Sequence, residues 1–336
     1  MEVHMTQAEV AHLDRVPPRR SGRSGLHLPV LTLGLGRGPH RPAPNLKTLV
    51  RTAATIGITS FDITSPSHDR DGIFEAAGQA LYPWRRRRAE LTVSARIGQG
   101  TYPRALHGYG SRQQILSGLD SLLQRSSLTY LDVLYAHRID PATPLEETVG
   151  ALADIVRQGK AHYVGLSAVS PHTLLQAATL LTEYDTPAAA CQISYSLLDR
   201  YAEPDLIQTC RAQQWGIIAC APLAHGALSP QGGGFSAERQ ALLRALDYIA
   251  VTRNQSVEQL ALSWTLRDRH ITSSLVTTSD PEHLIQLHKA TQKTHFTATE
   301  RAAIDACCPP PAAWSLNLDP SRSGRAVDGE SRRGAR

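Results

Sequence analysis

Eight short apolar, β-branched runs recur along this chain, near residues 30–35, 58–63, 91–96, 131–137, 162–167, 188–194, 216–221 and 272–277. Amphipathic segments separate them, near 45–56, 70–81, 111–126, 145–158, 170–182, 203–214 and 237–252, with two more near 257–268 and 281–290. Strand runs alternating with helical patterns imply parallel pairing, because a parallel neighbour is reached through a crossover of helical length. Eight such units close a (β/α)8 barrel of the TIM type, an α/β fold with an eight-stranded parallel sheet. A doubly wound open sheet is the alternative, weakened because no G-x-G-x-x-G follows any strand.

Local signals agree with this alternation. Ile115, Leu116, Leu119, Leu122 and Leu123 share one helical face, and Ser111 stands where an N-cap belongs. Ser170 followed by Pro171 reads as N-cap and first helical position. With 336 residues, 41% of them hydrophobic, the chain suffices for one large core. The barrel is expected over 24–318. The polar, Pro/Arg-rich stretch 1–23 reads as a partly mobile leader, and the Gly/Ser/Arg/Asp-rich 319–336 as a disordered tail.

The net charge of +5 comes from 35 basic and 30 acidic residues. Only Lys47, Lys160, Lys289 and Lys293 are lysines. The run Arg85 to Arg88 lies between a helix and a strand and reads as a solvated loop, so no nucleic-acid partner is expected. Five cysteines, an odd number without paired spacing, suggest reduced thiols and a cytoplasmic location. Cys307 and Cys308 are too close together for an ordinary zinc site, and no metal site is expected. No apolar run approaches the ~20 residues that span a bilayer, and no signal-peptide core precedes the first strand.

Three strands end on polar side chains: Asp62, Arg96 and His137. The C-terminal ends of barrel strands are where such folds keep their chemistry. His137 can act as acid or base near neutral pH. Arg96 keeps its proton and can clamp an oxyanion or carboxylate. Asp62 can orient the site or simply pair with Arg96. Asp132, in mid-strand, reads as structural.

Several segments carry a family resemblance. They include Ser24-Gly25-Leu26-His27-Leu28-Pro29, Gly57 to Asp62, Tyr135-Ala136-His137-Arg138 and Tyr163-Val164-Gly165-Leu166-Ser167. Gln192-Ile193-Ser194-Tyr195-Ser196-Leu197-Leu198, Ala221 to Gly226 and Leu260-Ala261-Leu262-Ser263-Trp264 complete the set. In this order the chain resembles the aldo-keto reductase superfamily over roughly residues 20–318, in the branch of potassium-channel β-subunit-like and glyceraldehyde-3-phosphate-reductase-like proteins.

The resemblance implies an NAD(P)H-dependent carbonyl reductase whose site uses an Asp, a Tyr, a Lys and a His. Asp62 and His137 match two of these. Ser67, followed by His68, stands where the Tyr belongs, and Arg96 stands where the Lys belongs. Ser167, Gln192 and Tyr195 match positions that bind the carboxamide and stack on the nicotinamide. Pro222 and Leu223 match the loop against the pyrophosphate. Asp280 replaces an Arg that would pair with a 2′-phosphate, and Leu287 an Asn that would hold adenine. NADPH is therefore disfavoured, NADH less so.

A serine hydroxyl is a far weaker acid than a phenol, so His68 is the candidate replacement donor. The leading expectation is acid/base chemistry without net redox on a carbonyl-containing small molecule: dehydration, isomerisation or cyclisation, with specialised metabolism as a fitting setting. Here His137 is acid/base, Arg96 the clamp, Asp62 the orienter and His68 an optional second acid, and no cofactor is required. The alternatives are an NAD(P)H-dependent reductase with a substitute proton donor, and a non-catalytic binding or regulatory protein. The oligomeric state is left open.

Overall fold

The computed structural model describes residues 16–36, 45–63, 72–98, 110–137, 139–186, 188–229 and 236–310. A two-stranded hairpin, β1 (Arg19–Arg20) and β2 (His27–Leu28), precedes the barrel. The barrel strands are β3 (Leu31–Gly34), β4 (Ser60–Ile63), β5 (Thr92–Ile97), β6 (Leu131–His137), β7 (Ala161–Ser167), β8 (Ala188–Ser194), β9 (Gly216–Cys220) and β10 (Ile271–Val276). All pair in parallel, each with its sequence neighbour, and β10 closes on β3. The expected eight-stranded barrel is the fold.

The helices lie outside it: α1 (Leu46–Thr55), α2 (Ile73–Leu81), α3 (Arg112–Ser126), α4 (Leu145–Arg157), α5 (Pro171–Glu183) and α6 (Leu206–Ala212). They continue with α7 (Ala237–Thr252), α8 (Val257–Thr265), α9 (Pro281–Lys289) and α10 (Ala298–Cys307). The expected caps form: Ser111 Oγ accepts from Gln114 N at 3.3 Å and Ser170 Oγ from Thr173 N at 3.1 Å. A capping box opens α8 with Ser256 and Gln259, and another opens α10 with Thr297 and Glu300.

Two cores follow from strand alternation. Outward residues such as Leu31, Phe61, Val164 and Ile193 pack under the helices. Inward residues Val133, Tyr135, Ala190, Ile218 and Leu275 fill the barrel with Leu28 from the hairpin. The hairpin sits at the N-terminal end of the barrel. Ser21 Oγ donates to Ala189 O at 2.8 Å, and the Arg19 guanidinium donates to the carbonyls of Leu266, Asp268 and Ile271. Burying Leu28 there stabilises the closure by about 1.5–3 kcal/mol. Residues 19–23 belong to the hairpin. Their basic composition conceals a strand whose charge is spent on backbone carbonyls. Residues 1–15 and 319–336 lie outside the described residues.

The arginine run forms a 3-10 helix, Tyr82–Glu90, rather than an open loop. Arg87 pairs with Glu90, and Arg88 reaches Asp132 at 2.7 Å across the sheet. Asp132 Oδ2 also accepts from Val93 N at 2.7 Å, which is a structural role. Among the described residues no helix is long and apolar enough to cross a membrane, and no cluster of three His, Cys, Asp or Glu could hold a metal ion.

Candidate active site

Sheet register decides which strand-end residues meet. Asp62 pairs across with Ser94, Arg96 with Tyr135, His137 with Ser167, and Ser167 with Gln192. Side chains two apart share a face. Asp62, Ser94, Arg96, Tyr135, His137, Ser167 and Gln192 therefore all project inward.

Asp62 is fully buried. Its Oδ2 accepts from Ser94 Oγ at 2.7 Å and from Gln192 Nε2 at 3.0 Å. Both of these donors are neutral. No ion pair joins it to Arg96 among the described residues: Asp62 registers with Ser94, and Arg96 stands one full pleat repeat nearer the mouth. Arg96 is half-buried there. The four lysines lie elsewhere. Lys47 is exposed on α1, Lys160 bonds Asp120, Lys289 ends α9, and Lys293 donates to Arg253 O. None can replace Arg96 as a titratable cation in this layer.

His137 Nδ1 lies 3.1 Å from Ser167 Oγ, a hydrogen bond whose direction depends on the tautomer. Below it, Tyr135 crosses the barrel at full burial. Burial, reinforced by Asp62, pushes its phenol well above the ordinary value, so it is a poor proton donor. Gly165 makes room for this ring: a Cβ there would stand 2.5 Å from the Tyr135 ring and from Ala190 O.

Tyr195 is a correction. It follows inward Ser194, so it points outward, where its ring packs on Trp264 at 5.3 Å. Its hydroxyl donates to Glu203 at 2.7 Å and accepts from Arg267 at 3.0 Å. It cannot lie against a ring at the mouth. The inward residue at that level is Cys220, paired with Ser194 at the end of β9. Burial pushes its thiol up to about 12, with Asp62 adding to the rise and Arg96 opposing it. Sequence reading missed Cys220, Ser94 and Tyr135. Alternation counted from Asp62, Arg96 and His137 was the available signal for Ser94 and Tyr135.

Pro222 and Leu223 follow β9 in a tight turn, where Ala221, Ala224 and His225 all have positive φ (51°, 49° and 53°). Ala168, just after Ser167, has φ 55°. Left-handed non-glycine residues are costly and cluster where surrounding structure imposes a loop shape. At the far end, Asp280 caps α9 by accepting from Glu282 N at 2.9 Å. Leu287 is buried in the helical core. Ser67 and His68 lie outside the described residues.

With this geometry in place, comparison with known proteins is decisive. The model of the aldo/keto reductase family matches residues 31–309, the whole barrel from β3 to the end of α10. The chain belongs to the aldo/keto reductase family. The L-glyceraldehyde 3-phosphate reductase of Escherichia coli (strain K12) is 35% identical over 314 residues, covering 85% of this chain and 91% of that protein. A Schizosaccharomyces pombe protein named "Putative voltage-gated potassium channel subunit beta" is 30% identical over 306 residues, covering 82% and 88% respectively. "Probable aldo-keto reductase 1" of Glycine max is 28% identical over 238 residues, covering 66% and 67%. Asp62, Arg96 and His137 all lie within the matched span.

Proposed function

We propose that this aldo/keto reductase relative acts on a carbonyl-containing small molecule by proton transfer without net redox. The observation that carries it is the lysine-free layer around Asp62: a buried carboxylate held by Ser94 and Gln192, with an arginine in the neighbouring strand. An arginine cannot give up its proton. It can hold a developing oxyanion, or a carboxylate or phosphate of the substrate, through paired N–H donors. His137 then moves the proton. Ser167 Oγ lies against Nδ1 and orients the ring. Asp62 keeps the layer anionic beneath the guanidinium and holds the site's shape. Elimination, isomerisation or ring closure next to a carbonyl needs only these groups. His68 is a second acid in this reading.

The family's nicotinamide dinucleotide supplies hydride when bound, and the residues here fit it poorly. Ser167 is engaged by His137, and Gln192 Nε2 by Asp62. Tyr195 faces away, and Cys220 brings no ring to stack on. Asp280 sets a carboxylate at a helix start where a phosphate would dock. Pro222 and Leu223 remain as the turn that would line a bound phosphate.

A second reading is a reductase using a substitute proton donor. The names of the relatives favour it, since two are called reductases. One experiment separates the two. The protein is incubated in D2O with glyceraldehyde 3-phosphate or dihydroxyacetone phosphate, without dinucleotide, and followed by proton NMR. Exchange at the carbon beside the carbonyl is expected, and is lost in His137→Ala. Saturable NADH or NADPH binding, with oxidation matching carbonyl loss, overturns the non-redox reading.

A further inference from the structure

We propose that the barrel interior beneath the Asp62 layer holds one tightly bound water molecule, which completes the clamp that Gln192 places on Asp62. The inference rests on the interior alone and not on the reaction proposed above.

A small chamber of about 10 Å³ lies there, its lining including Thr32, Ser60, Ser94, Val133, Tyr135 and Gln192. That is about the space one water occupies, and a buried water also needs two to four polar partners. Gln192 supplies the first. Only 2% of this residue is exposed, and its Oε1 has no partner among the described residues. Turning the amide over would not relieve this. Nε2 donates to Asp62 Oδ2 at 3.0 Å, and the reversed amide would set two acceptors against each other. The carboxylate therefore fixes the orientation and leaves a buried carbonyl oxygen in need of a donor.

Ser60 supplies the second partner. Thr32 Oγ1 donates to Ser60 Oγ at 3.0 Å, so the Ser60 proton remains to be given elsewhere. A water in the chamber donates to Gln192 Oε1 and accepts from Ser60. A chain of hydrogen bonds then runs from Ser273 and Thr32 through Ser60, the water and Gln192 to Asp62. An apolar chamber of this size would stay dry. This one has a polar wall on the side of Gln192.

The test is a double-mutant cycle with a crystal structure beside it. Val133 faces the chamber from its apolar side. Val133→Ile expels the water and strands Gln192 Oε1, so Tm is expected to fall by about 2–4 °C. In a Gln192→Met background no carbonyl remains to be stranded, and the same substitution is expected to leave Tm unchanged or raise it. A fall of equal size in both backgrounds means overpacking and overturns the proposal. A rise in the wild-type background means a dry void and overturns it too. If Gln192→Met does not fold, a high-resolution crystal structure of the unaltered chain decides alone. One water peak within hydrogen-bonding reach of both Gln192 Oε1 and Ser60 Oγ supports the site, and an empty chamber overturns it.

Discussion

Ser167 and His137 end adjacent strands in register, and Ser167 Oγ meets His137 Nδ1 at 3.1 Å. The pair forms because β6 and β7 are parallel neighbours whose last inward residues fall at the same height. Its consequence is a choice of tautomer. His137→Ala is expected to lower turnover about 10²–10⁴-fold while leaving the far-ultraviolet spectrum unchanged. Ser167→Ala is expected to cost less and to mix the two tautomers, which nitrogen-15 shifts of the imidazole report directly. A single unchanged tautomer in Ser167→Ala would remove the serine from this role.

Asp280 is both helix cap and charge. Asp280→Arg is expected to raise affinity for NADPH over NADH by about 10-fold or more, as a charge-assisted contact to a 2′-phosphate would. It is also expected to cost about 1 kcal/mol of stability through loss of the cap. Fluorescence titration with both dinucleotides and thermal denaturation check the two effects separately.

Gly165 is required by its neighbours, not by its own backbone angles. Gly165→Ala would drive a methyl against the Tyr135 ring and Ala190 O. A loss of about 1–3 kcal/mol is expected, read as a lower denaturant midpoint. Tyr135→Leu should recover only part of it, because the carbonyl clash remains.

His288 makes folding sensitive to acid. It is buried on α9, its Nδ1 has no partner among the described residues, and burial lowers its pKa from the ordinary 6.5. Below about pH 6.5 the unfolded chain binds a proton that the folded chain resists. Stability from this residue is therefore full at higher pH and is lost as pH falls. Urea denaturation at pH 7.5 and pH 5.5 should show a drop that shrinks in His288→Leu.

Much of the scaffold was legible in advance, for a physical reason. Strand runs and helix caps are local, so Ser111, Ser170 and the eight runs announce themselves within a few residues. The hairpin around Arg19 was not legible. Arg19 looks like solvent-facing charge, yet it bonds carbonyls some 250 positions away (Ile271, 252 apart). The inward or outward sense of Tyr195 and Cys220 was not legible either. Barrel strands are buried on both faces, so neither face is marked by polarity.

The sequence by itself determined the βα repeat, the barrel and the presence of Asp62, Arg96 and His137 at strand ends. It also determined that only four lysines exist and that none ends a strand. Tertiary structure alone decided that Asp62 is held by Ser94 and by Gln192, 130 residues away, rather than by Arg96. The reason is register: hydrogen bonding between parallel strands sets the height of each side chain, and it places Asp62 level with Ser94 and Arg96 one pleat repeat above.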